Sequence, residues 1–415
     1  MRPTVWQLRI NMNALTPLTE CLACGGQDLE LTLDLNDQPL ANNFKGDLQA
    51  DEPQFPLAVN RCTHCNHLQL THAVDPALIY THYLYVSGTS QTGRDYMEWF
   101  ARFAQEQFVN WPNKILDIGC NDGTQLDYFK KLGFKTYGVD PAENLFPVSS
   151  ANHQIYCNFW NESSPEWFTE RMDIIVAQNS FAHNPDPVAW LTAAETCLED
   201  QGLIFIQTSQ ADMVINGEFD TIYHEHISFY NAASMQALAK RVGLHLIDVV
   251  KTPIHGTSYI FILSKHPRNQ HRVSNILATE AAVGLNRAET YRRWAQDAQH
   301  LLLDVKQTID RHRELGYAIV GYGAAAKGMT LINASKIHLD AVVDDNPLKQ
   351  GLYCPGTEIP VVSSDYLTQF AETDSVLFVP LAWNFYAEIS QRIRAVRSNS
   401  NDRFMRYFPR ITIEH

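Results

Sequence analysis

The sequence is short of positive charge and of long apolar runs. Lys and Arg number 32 against 46 Asp and Glu, which gives a net charge of −14 over 415 residues. Nucleic acids and anionic membrane surfaces attract clustered cations, so this balance argues against both partners. No apolar run approaches the ~20 residues needed to span a bilayer, and residues 1–4 lead into no apolar signal-peptide core. We therefore expect a cytoplasmic protein that binds neither nucleic acid nor membrane.

The eight cysteines are unevenly distributed along the chain. Four of them form two Cys-x-x-Cys pairs separated by 37 residues, namely Cys21, Cys24, Cys62 and Cys65. In a reducing compartment, such pairs favour four thiolates around a tetrahedral zinc over disulfides. A closed thiolate shell leaves no open position for chemistry, so we expect a structural zinc. His64 and His67 are alternative ligands, but we favour two polar surface histidines.

From residue 114 onward, strand patterns alternate with helix patterns. Strands are predicted at 114–118, 136–139, 172–177 and 202–207, with a helix ending near residue 132 and another at 187–198. A chain of this length, 45% apolar, fills two or three cores. The alternation is typical of an α/β fold with a mainly parallel sheet. Ligands of such sheets bind at the carboxyl ends of the strands, near the topological switch point.

The first of these strands ends in an Asp-x-Gly-x-x-x-Gly turn at 117–123. Glycines let the backbone approach a ligand closely, and an acidic residue about 20 positions further on suits the ribose hydroxyls. The turn lacks the second glycine of Gly-x-Gly-x-x-Gly, which admits a pyrophosphate, so S-adenosylmethionine fits better than NAD. The predicted cofactor-binding residues are Asp117, Gly119, Asn121, Gly123, Asp140, Gln178 and Asn179.

Residues 223–226 read Tyr-His-Glu-His, which combines two imidazoles, a carboxylate and a phenol. Considered alone, such a run in an acidic protein is more often a solvated turn. Its position after the strand at 202–207 favours acid/base chemistry instead. Histidine is the side chain best suited to take up a proton near neutral pH.

A second glycine turn lies in the last third of the chain. A predicted strand at 317–320 leads into Gly-x-Gly-x-x-Ala, and Asp344 follows Gly323 by 21 residues, which by itself indicates NAD. Lys327 stands at the start of the next helix, where a cation and free amides suit a phosphate group. Asp344 could equally cap a strand end. Residues 275–308 are predicted to form a connecting helix.

In its motifs, the chain resembles the sugar C-methyltransferase family. These three-domain enzymes methylate carbon 3 of a nucleotide-linked 4-keto-6-deoxyhexose. The resemblance covers nearly the whole chain, because the family's motifs occur in order: the two Cys-x-x-Cys pairs and the segments 34–42, 117–123, 223–226, 321–328 and 381–385. One segment differs, since residues 255–260 read His-Gly-Thr-Ser-Tyr-Ile where the family usually has His-Gly-Gly-Ser-Leu-Arg.

The resemblance implies an N-terminal zinc-binding module (1–85), a central Rossmann-like class I methyltransferase domain (86–272) and a second, C-terminal Rossmann-like domain (273–415). The last is expected to bind the nucleotide sugar and no nicotinamide. His226 would be the base with Glu225 as its dyad partner, while Tyr223 and His183 would donate to the sugar, His183 being the alternative base. The expected substrate-binding residues are Tyr83, Tyr85, His224, Gly323, Lys327, Asp344, Trp383 and Asn384, although residues 83–90 could also be an ordinary linker.

The expected function is therefore S-adenosylmethionine-dependent C-methylation of carbon 3 through an enolate, in branched deoxysugar biosynthesis. The substrate would carry dTDP or GDP, and we expect a monomer with a structural zinc. Three alternatives stay open. They are an O- or N-methyltransferase acting on another small molecule, a nicotinamide-dependent nucleotide-sugar reductase, and a zinc-ribbon nucleic-acid adaptor, which the net charge disfavours.

Overall fold

The computed structural model describes residues 14–81, 86–208, 212–254 and 256–415. Tyr83 and Tyr85, two of the predicted substrate-binding residues, lie outside these ranges, as does His255. Within the described ranges, no helix has both the length and the apolar composition required to cross a membrane.

An antiparallel sheet forms the N-terminal part of the chain. The elements here are β1 (Leu15–Pro17), β2 (Leu29–Gln38), β3 (Phe55–Cys62), β4 (Leu68–Leu70), β5 (His72–Val74) and α1 (Ala77–Tyr80). Strands β2, β3 and β4 are adjacent, while β1 pairs with β5. A fourth strand, Ser228–Phe229, joins the sheet beside β4 although it comes some 160 residues later in the chain. The N-terminal sheet is therefore completed by the segment that follows the Tyr-His-Glu-His motif.

The central part is a seven-stranded sheet covered by helices. Its elements are α2 (Gln91–Glu106), β6 (Lys114–Ile118), α3 (Thr124–Lys131), β7 (Lys135–Val139), α4 (Phe146–Ser149), β8 (Gln154–Tyr156), β9 (Met172–Gln178), α5 (Pro187–Cys197), β10 (Leu198–Thr208), α6 (Met213–Asn216), β11 (Ser228–Phe229, in the N-terminal sheet), α7 (Ala232–Arg241), β12 (His245–Thr252) and β13 (Ser258–Ser264). The strand order is β12-β13-β10-β9-β6-β7-β8, and only the pairs that involve β13 are antiparallel. The predicted strands and helices are confirmed, with shifts of a few residues at their ends.

The topological switch point of this sheet lies between β6 and β9. Strand β6 has β7 on one side and β9 on the other, so the chain reverses its direction of winding there. The carboxyl ends of β6 and β9 therefore diverge into loops that leave a crevice between them. The predicted cofactor residues follow these two strands and β7.

Two helices connect the central sheet to the C-terminal sheet. The single helix predicted at 275–308 is instead α8 (Gln270–Ala282) and α9 (Ala288–Glu314). Gly284 lies between them with φ +88°, a conformation that side chains with a Cβ rarely adopt and that ends a helix. Trp294 is buried on the apolar face of α9.

The C-terminal sheet has six strands and a second Rossmann-like order. Its elements are β14 (Ala318–Tyr322), α10 (Ala326–Ser335), β15 (Ala341–Val343), β16 (Val361–Val362), β17 (Val376–Pro380), α11 (Tyr386–Val396), β18 (Arg403–Arg406) and β19 (Thr412–Glu414). The order is β16-β15-β14-β17-β18-β19, parallel except for β19. The α/β fold with a zinc-binding module and two Rossmann-like sheets is thus confirmed.

The apolar cores divide the chain differently from the sheets. Two cores involve the central sheet and its helices, and one of them also includes the four cysteines of the N-terminal part. Another is shared by the N-terminal sheet, α9 and the C-terminal sheet, and it also includes Phe219, Ile222 and Ile227. Full burial of side chains of this size stabilises the packing by about 1.5–3 kcal/mol each. Residues around the Tyr-His-Glu-His motif are thus packed by the two outer parts of the chain.

Candidate active site

The four cysteines predicted to bind zinc come together in the N-terminal part. Their Sγ atoms lie within 4.8 Å of one another, and all four are free thiols. The Sγ atoms of Cys21 and Cys65 are 3.6 Å apart, and those of Cys24 and Cys62 are 3.5 Å apart. A disulfide requires about 2.05 Å, whereas a tetrahedron with Zn–S bonds of about 2.3 Å has thiolates about 3.8 Å apart. The four residues therefore fit a structural zinc.

The two histidines beside the second cysteine pair do not share one environment. His64 is exposed and lies 3.2 Å from Asp28. His67 is 0% exposed, its Nε2 lies 3.3 Å from Ser228 Oγ, and its ring packs on Tyr230. Burial lowers the pKa of the His67 imidazole to about 4. The prediction of a surface histidine is wrong for His67, because β11 and the residues after it cover it from a distant part of the chain.

The 117–123 turn, hereafter the cofactor turn, has the backbone that its glycines predict. Gly119 has φ +86° and Gly123, which begins α3, has φ +83°. A Cβ at Gly119 would lie 2.5 Å from the Cβ of Ser180. The Ser180 hydroxyl donates to the Ile118 carbonyl at 2.6 Å, so the loop after β9 is held directly against this turn.

Carboxylates concentrate at the cofactor turn. Asp140, at the end of β7, accepts hydrogen bonds from the amides of Asn121 at 2.8 Å and Ala142 at 2.9 Å. Asp117 is only 3% exposed, and burial, with Asp140 and Asp122 nearby, raises its pKa to about 8. Burial also raises the pKa of Asp140. Such an acidic, buried turn suits a ligand that carries positive charge.

A short turn at Ser87–Thr89 covers the cofactor turn. The amide of Ser87 donates to Asn121 Oδ1 at 2.9 Å, and the amide of Gly88 donates to Asp122 Oδ2 at 3.0 Å. The described part of the 83–90 segment therefore packs against the cofactor turn.

Three buried polar atoms after β9 have no hydrogen-bond partner within the described residues. They are Gln178 Nε2, Asn179 Oδ1 and His183 Nε2. A buried polar atom without a partner costs about 1–3 kcal/mol, and Asn179 also has φ +54°. The residues present therefore fit a polar ligand at this end of the sheet, as predicted for S-adenosylmethionine and its acceptor.

Tyr223 and His226 form a buried hydrogen-bonded pair. His226 Nδ1 lies 2.7 Å from the Thr221 carbonyl oxygen. A carbonyl only accepts, so Nδ1 carries the proton of the neutral imidazole and Nε2 is the basic nitrogen. Nε2 accepts a hydrogen bond from the Tyr223 hydroxyl at 2.9 Å. With His226 only 5% exposed, the arrangement can take up a proton at Nε2 and donate one from the phenol.

Glu225 does not take the dyad position implied by the resemblance. The His226 Nδ1 atom, which a dyad carboxylate would contact, is already bonded to the Thr221 carbonyl. The Glu225 carboxylate accepts from the Asn42 side-chain amide at 2.5 Å instead. Residues 223–226 form a tight turn closed by the His226 amide and the Tyr223 carbonyl at 2.8 Å, so neighbouring side chains diverge. A main-chain carbonyl orients the imidazole.

His224 points toward the N-terminal sheet. Its Nε2 lies 3.1 Å from the Phe55 carbonyl, and the side chain is 2% exposed. Burial lowers its pKa to about 4, so the ring is neutral near pH 7. The expected substrate-binding role of His224 remains a prediction, and the contact observed is with the N-terminal sheet.

Two residues outside the predicted site contribute to it. The ring of Tyr80 stacks on His183 at 5.5 Å, and His183 in turn stacks on His226 at 5.3 Å. Burial raises the pKa of Tyr80 well above its ordinary value. Asn42 contacts Glu225, as described above. Asn42 is the last residue of the 34–42 motif, so the sequence carried a signal that could have identified it. No sequence motif singled out Tyr80.

The C-terminal turn, residues 321–326, repeats the backbone plan of the cofactor turn. Gly323 has φ +89°, and the Ala324 amide donates to Asp344 Oδ2 at 2.6 Å. The second Asp344 oxygen accepts from the Asn346 amide at 2.8 Å. Asp344 thus braces the turn, as Asp140 braces the other. Lys349 donates to the Ala324 carbonyl at 2.7 Å.

The remaining predicted substrate residues lie at one side of this turn. Lys327 Nζ is 3.8 Å from Glu218 Oε2 and 5.1 Å from the centre of the Trp383 ring. The Trp383 indole donates to Asp220 at 2.8 Å. Asn384 is half-exposed in the Trp383–Phe385 turn. The structure therefore brings Lys327 and Trp383 together with buried carboxylates of the 218–226 segment.

The sheet order, the cofactor turn and the histidine–tyrosine pair beside it define a class of protein. His183 stacks on His226, and Ser180, three residues earlier, contacts Gly119, so the proton-transfer pair and the cofactor crevice share one loop. This class is the S-adenosylmethionine-dependent methyltransferases, here with a structural zinc module.

Comparisons with known proteins agree with this assignment. Three family models match successive parts of the chain: a zinc binding domain at 21–80, a methyltransferase domain at 89–249 and a C-methyltransferase C-terminal domain at 253–409. The C-methyltransferase NovU of Streptomyces niveus is 29% identical over 387 residues, which cover 90% of this chain and 91% of that protein. Over most of its length the chain is therefore similar to C-methyltransferases, and its cofactors are S-adenosylmethionine and zinc.

Two other similar proteins match less than half of this chain. A ubiquinone biosynthesis O-methyltransferase of Hydrogenovibrio crunogenus is 26% identical over 160 residues, which cover 34% of this chain and 66% of that protein. A solved structure of the plantazolicin methyltransferase BpumL with SAH has a TM-score of 0.35 and 17% identity, covering 43% of this chain and 87% of that chain.

Proposed function

We propose that the protein methylates carbon 3 of a nucleotide-linked 4-keto-6-deoxy sugar. The observation that carries the proposal is the Tyr223–His226 pair, in which the main chain fixes the imidazole tautomer and the basic Nε2 faces a phenol. An O- or N-methyltransferase starts from a heteroatom that already has a lone pair. Carbon methylation requires removal of a C–H proton, which is the chemistry that a buried, oriented histidine supplies.

In this reaction His226 Nε2 takes the proton from carbon 3, and the C–H electron pair becomes the enolate. The Tyr223 hydroxyl, which donates to Nε2 in the structure, would turn to the keto oxygen when the sugar binds, so that it frees Nε2 for the proton and stabilises the enolate charge. When bound, S-adenosylmethionine would supply the electrophilic methyl group to the enolate carbon, with the electron pair of its S–C bond left on sulfur. The proton acquired by His226 leaves to solvent after product release.

The expected ligand positions follow from the surrounding contacts. His183 Nε2 is buried without a partner in the described structure and stacks on His226, so it can donate to a sugar hydroxyl. Lys349 lies between Glu225 and Asp344, whose charges oppose the lowering of its pKa by burial. A substrate whose sugar lies at His226 and whose nucleotide lies at the C-terminal turn would extend past the Lys349 ammonium group. The domains would then divide near residues 85 and 272, the C-terminal one holding the dTDP or GDP group.

The test uses isotope exchange at carbon 3. The enzyme is incubated in D₂O with a panel of dTDP- and GDP-linked 4-keto-6-deoxy sugars and S-adenosylhomocysteine, and deuterium at carbon 3 is followed by NMR. We expect exchange without methyl donor, and one added methyl group at carbon 3 with it. The His226→Asn variant should lose both activities by at least about 100-fold while retaining affinity for S-adenosylmethionine.

A matched histidine variant provides the control. His300 is exposed on α9, so His300→Asn should exchange and methylate at the wild-type rate. Methyl transfer to oxygen or nitrogen with no exchange at carbon 3 would refute the proposal, and so would full activity of His226→Asn.

A further inference from the structure

The 218–226 segment is attached to the C-terminal sheet by a set of buried polar contacts. Asp220 is 1% exposed, and a single oxygen of its carboxylate accepts hydrogen bonds from the Trp383 indole and the Tyr407 hydroxyl, each at 2.8 Å. Two residues later, the Ile222 carbonyl accepts from the Thr330 hydroxyl at 3.0 Å. All three donors belong to the C-terminal part of the chain. Thr221, whose carbonyl orients His226, therefore lies between two residues anchored on that sheet.

One cation lies beside two carboxylates at this anchor. Lys327 Nζ lies 3.8 Å from Glu218, and its charge also acts on Asp220. Lys327 Nζ and Asp220 Oδ1 are buried, and neither has a hydrogen-bond partner within the described ranges. Removal of this cation would leave the buried carboxylates without a compensating charge, which is destabilising. Lys327 is thus engaged with the 218–226 segment.

The apolar packing supports the same attachment. Phe219 and Ile222 are buried in the core shared with the C-terminal sheet and α9, and neither belongs to the cores of the central sheet. The Trp294 indole on α9 donates to the Glu218 carbonyl at 2.9 Å. On the central side, the Ile227 amide donates to the Ala182 carbonyl at 2.9 Å, just before His183. The position of Thr221 is therefore set mainly by the C-terminal part.

From these contacts we infer that Asp220 is a positioning residue for His226. Its hydrogen bonds to Trp383 and Tyr407 hold the Thr221 carbonyl where it accepts from His226 Nδ1, and this keeps Nε2 as the basic nitrogen. The C-terminal part thereby contributes to proton transfer as well as to the substrate binding expected of it. The importance of this geometry for turnover rests on the proposed function, whereas its effect on the imidazole tautomer does not.

The first measurement needs no substrate. Ring-labelled ¹⁵N-histidine in the zinc-loaded enzyme is examined by long-range ¹H–¹⁵N correlation, and the His226 signals are assigned from their absence in His226→Asn. We expect wild-type His226 to be a single Nδ1–H tautomer. In Asp220→Asn and in Tyr407→Phe we expect an Nε2–H population of at least about 10%. Tyr366→Phe, a control tyrosine that packs on Phe370 in the 364–370 turn of the C-terminal part, should match the wild type.

Kinetics then distinguish positioning from substrate binding. With an accepted sugar nucleotide, we expect kcat to fall about tenfold or more in both variants while KM changes by less than about twofold. The inference is overturned if His226 keeps the wild-type spectrum in both variants, if the wild type shows the Nε2–H tautomer, or if KM alone rises. Tyr407→Phe leaves the 218–226 segment intact, so it decides the matter if Asp220→Asn fails to fold. If the enzyme turned over none of the sugar nucleotides in the panel, the proposed substrate would be refuted. The NMR spectra would still test the positioning role of Asp220.

Discussion

Substitution of Gly119 by alanine should weaken S-adenosylmethionine binding through a clash that can be located in the structure. A Cβ at this position would lie 2.5 Å from the Ser180 Cβ and 2.7 Å from its Oγ. Carbon atoms pack at about 3.5–4.0 Å, so the loop after β9 must move by at least about 1 Å. Because the Ser180 Cβ is fixed to the backbone, rotation of the side chain cannot relieve the contact.

The magnitude follows from overpacking, which costs about 1–3 kcal/mol. If ligand binding must restore the original loop position, this cost corresponds to about a 5-fold to 150-fold rise in Kd. Isothermal titration calorimetry measures this directly. Ligand affinity is a better readout than the free energy of unfolding, because a chain with several cores does not unfold in a single two-state step.

Gly133→Ala is the matched control. Gly133 also has a positive φ, +91°, but a Cβ there would meet nothing within 4 Å. Both variants carry the backbone cost of a left-handed alanine, about 1–2 kcal/mol, and only Gly119→Ala carries the clash. We expect Gly133→Ala to bind S-adenosylmethionine with wild-type affinity, and Gly119→Ala/Ser180→Gly to recover part of the loss. Wild-type affinity in Gly119→Ala would show that the described loop does not contact the binding site.

Two further predictions concern the cofactors. Cys62→Ser should lose its zinc and melt at a lower temperature. The control Cys157→Ser, at an exposed cysteine, should keep one zinc per chain, as measured by mass spectrometry. A full zinc content in Cys62→Ser would contradict the tetrathiolate site. Asp117 has a pKa raised to about 8 by burial and by neighbouring carboxylates, and a positively charged ligand favours its ionised form. Affinity for S-adenosylmethionine should therefore rise from pH 6 to about pH 8 and then level off, with proton release detected by calorimetry in buffers of different ionisation enthalpy. Asp117→Asn should abolish both effects, and a Kd independent of pH in the wild type would exclude this linkage.

Local patterns in the sequence were sufficient for four strands of the central sheet, for the first strand of the C-terminal sheet and for the zinc site. The cofactor turn and the C-terminal turn each follow an apolar strand, and their glycines have the positive φ that such turns require. The two Cys-x-x-Cys pairs are short enough in sequence to form two halves of one site. These features depend on residues near one another in the chain, so their spacing carries the information.

Other features depend on contacts between distant segments. Glu225 and His226 are adjacent, yet one contacts Asn42 and the other the Thr221 carbonyl. His67 is buried because residues after 226 cover it, and Tyr80 reaches the site by stacking on His183. Sequence proximity to a carboxylate suggested a dyad, but the direction of each side chain follows from the local turn.

The amino-acid sequence by itself determined the two Rossmann-like units, the zinc ligands and the residue types available for proton transfer, because each depends on a short pattern with its own backbone or ligand requirement. Only the tertiary structure decided which of those residues meet. The 218–226 segment follows the central sheet in the chain but is anchored by Trp383, Tyr407 and Thr330 of the C-terminal part. Buried hydrogen bonds and apolar contacts form between residues that are close in space. The spacing of residues along the chain does not show which distant residues will be close.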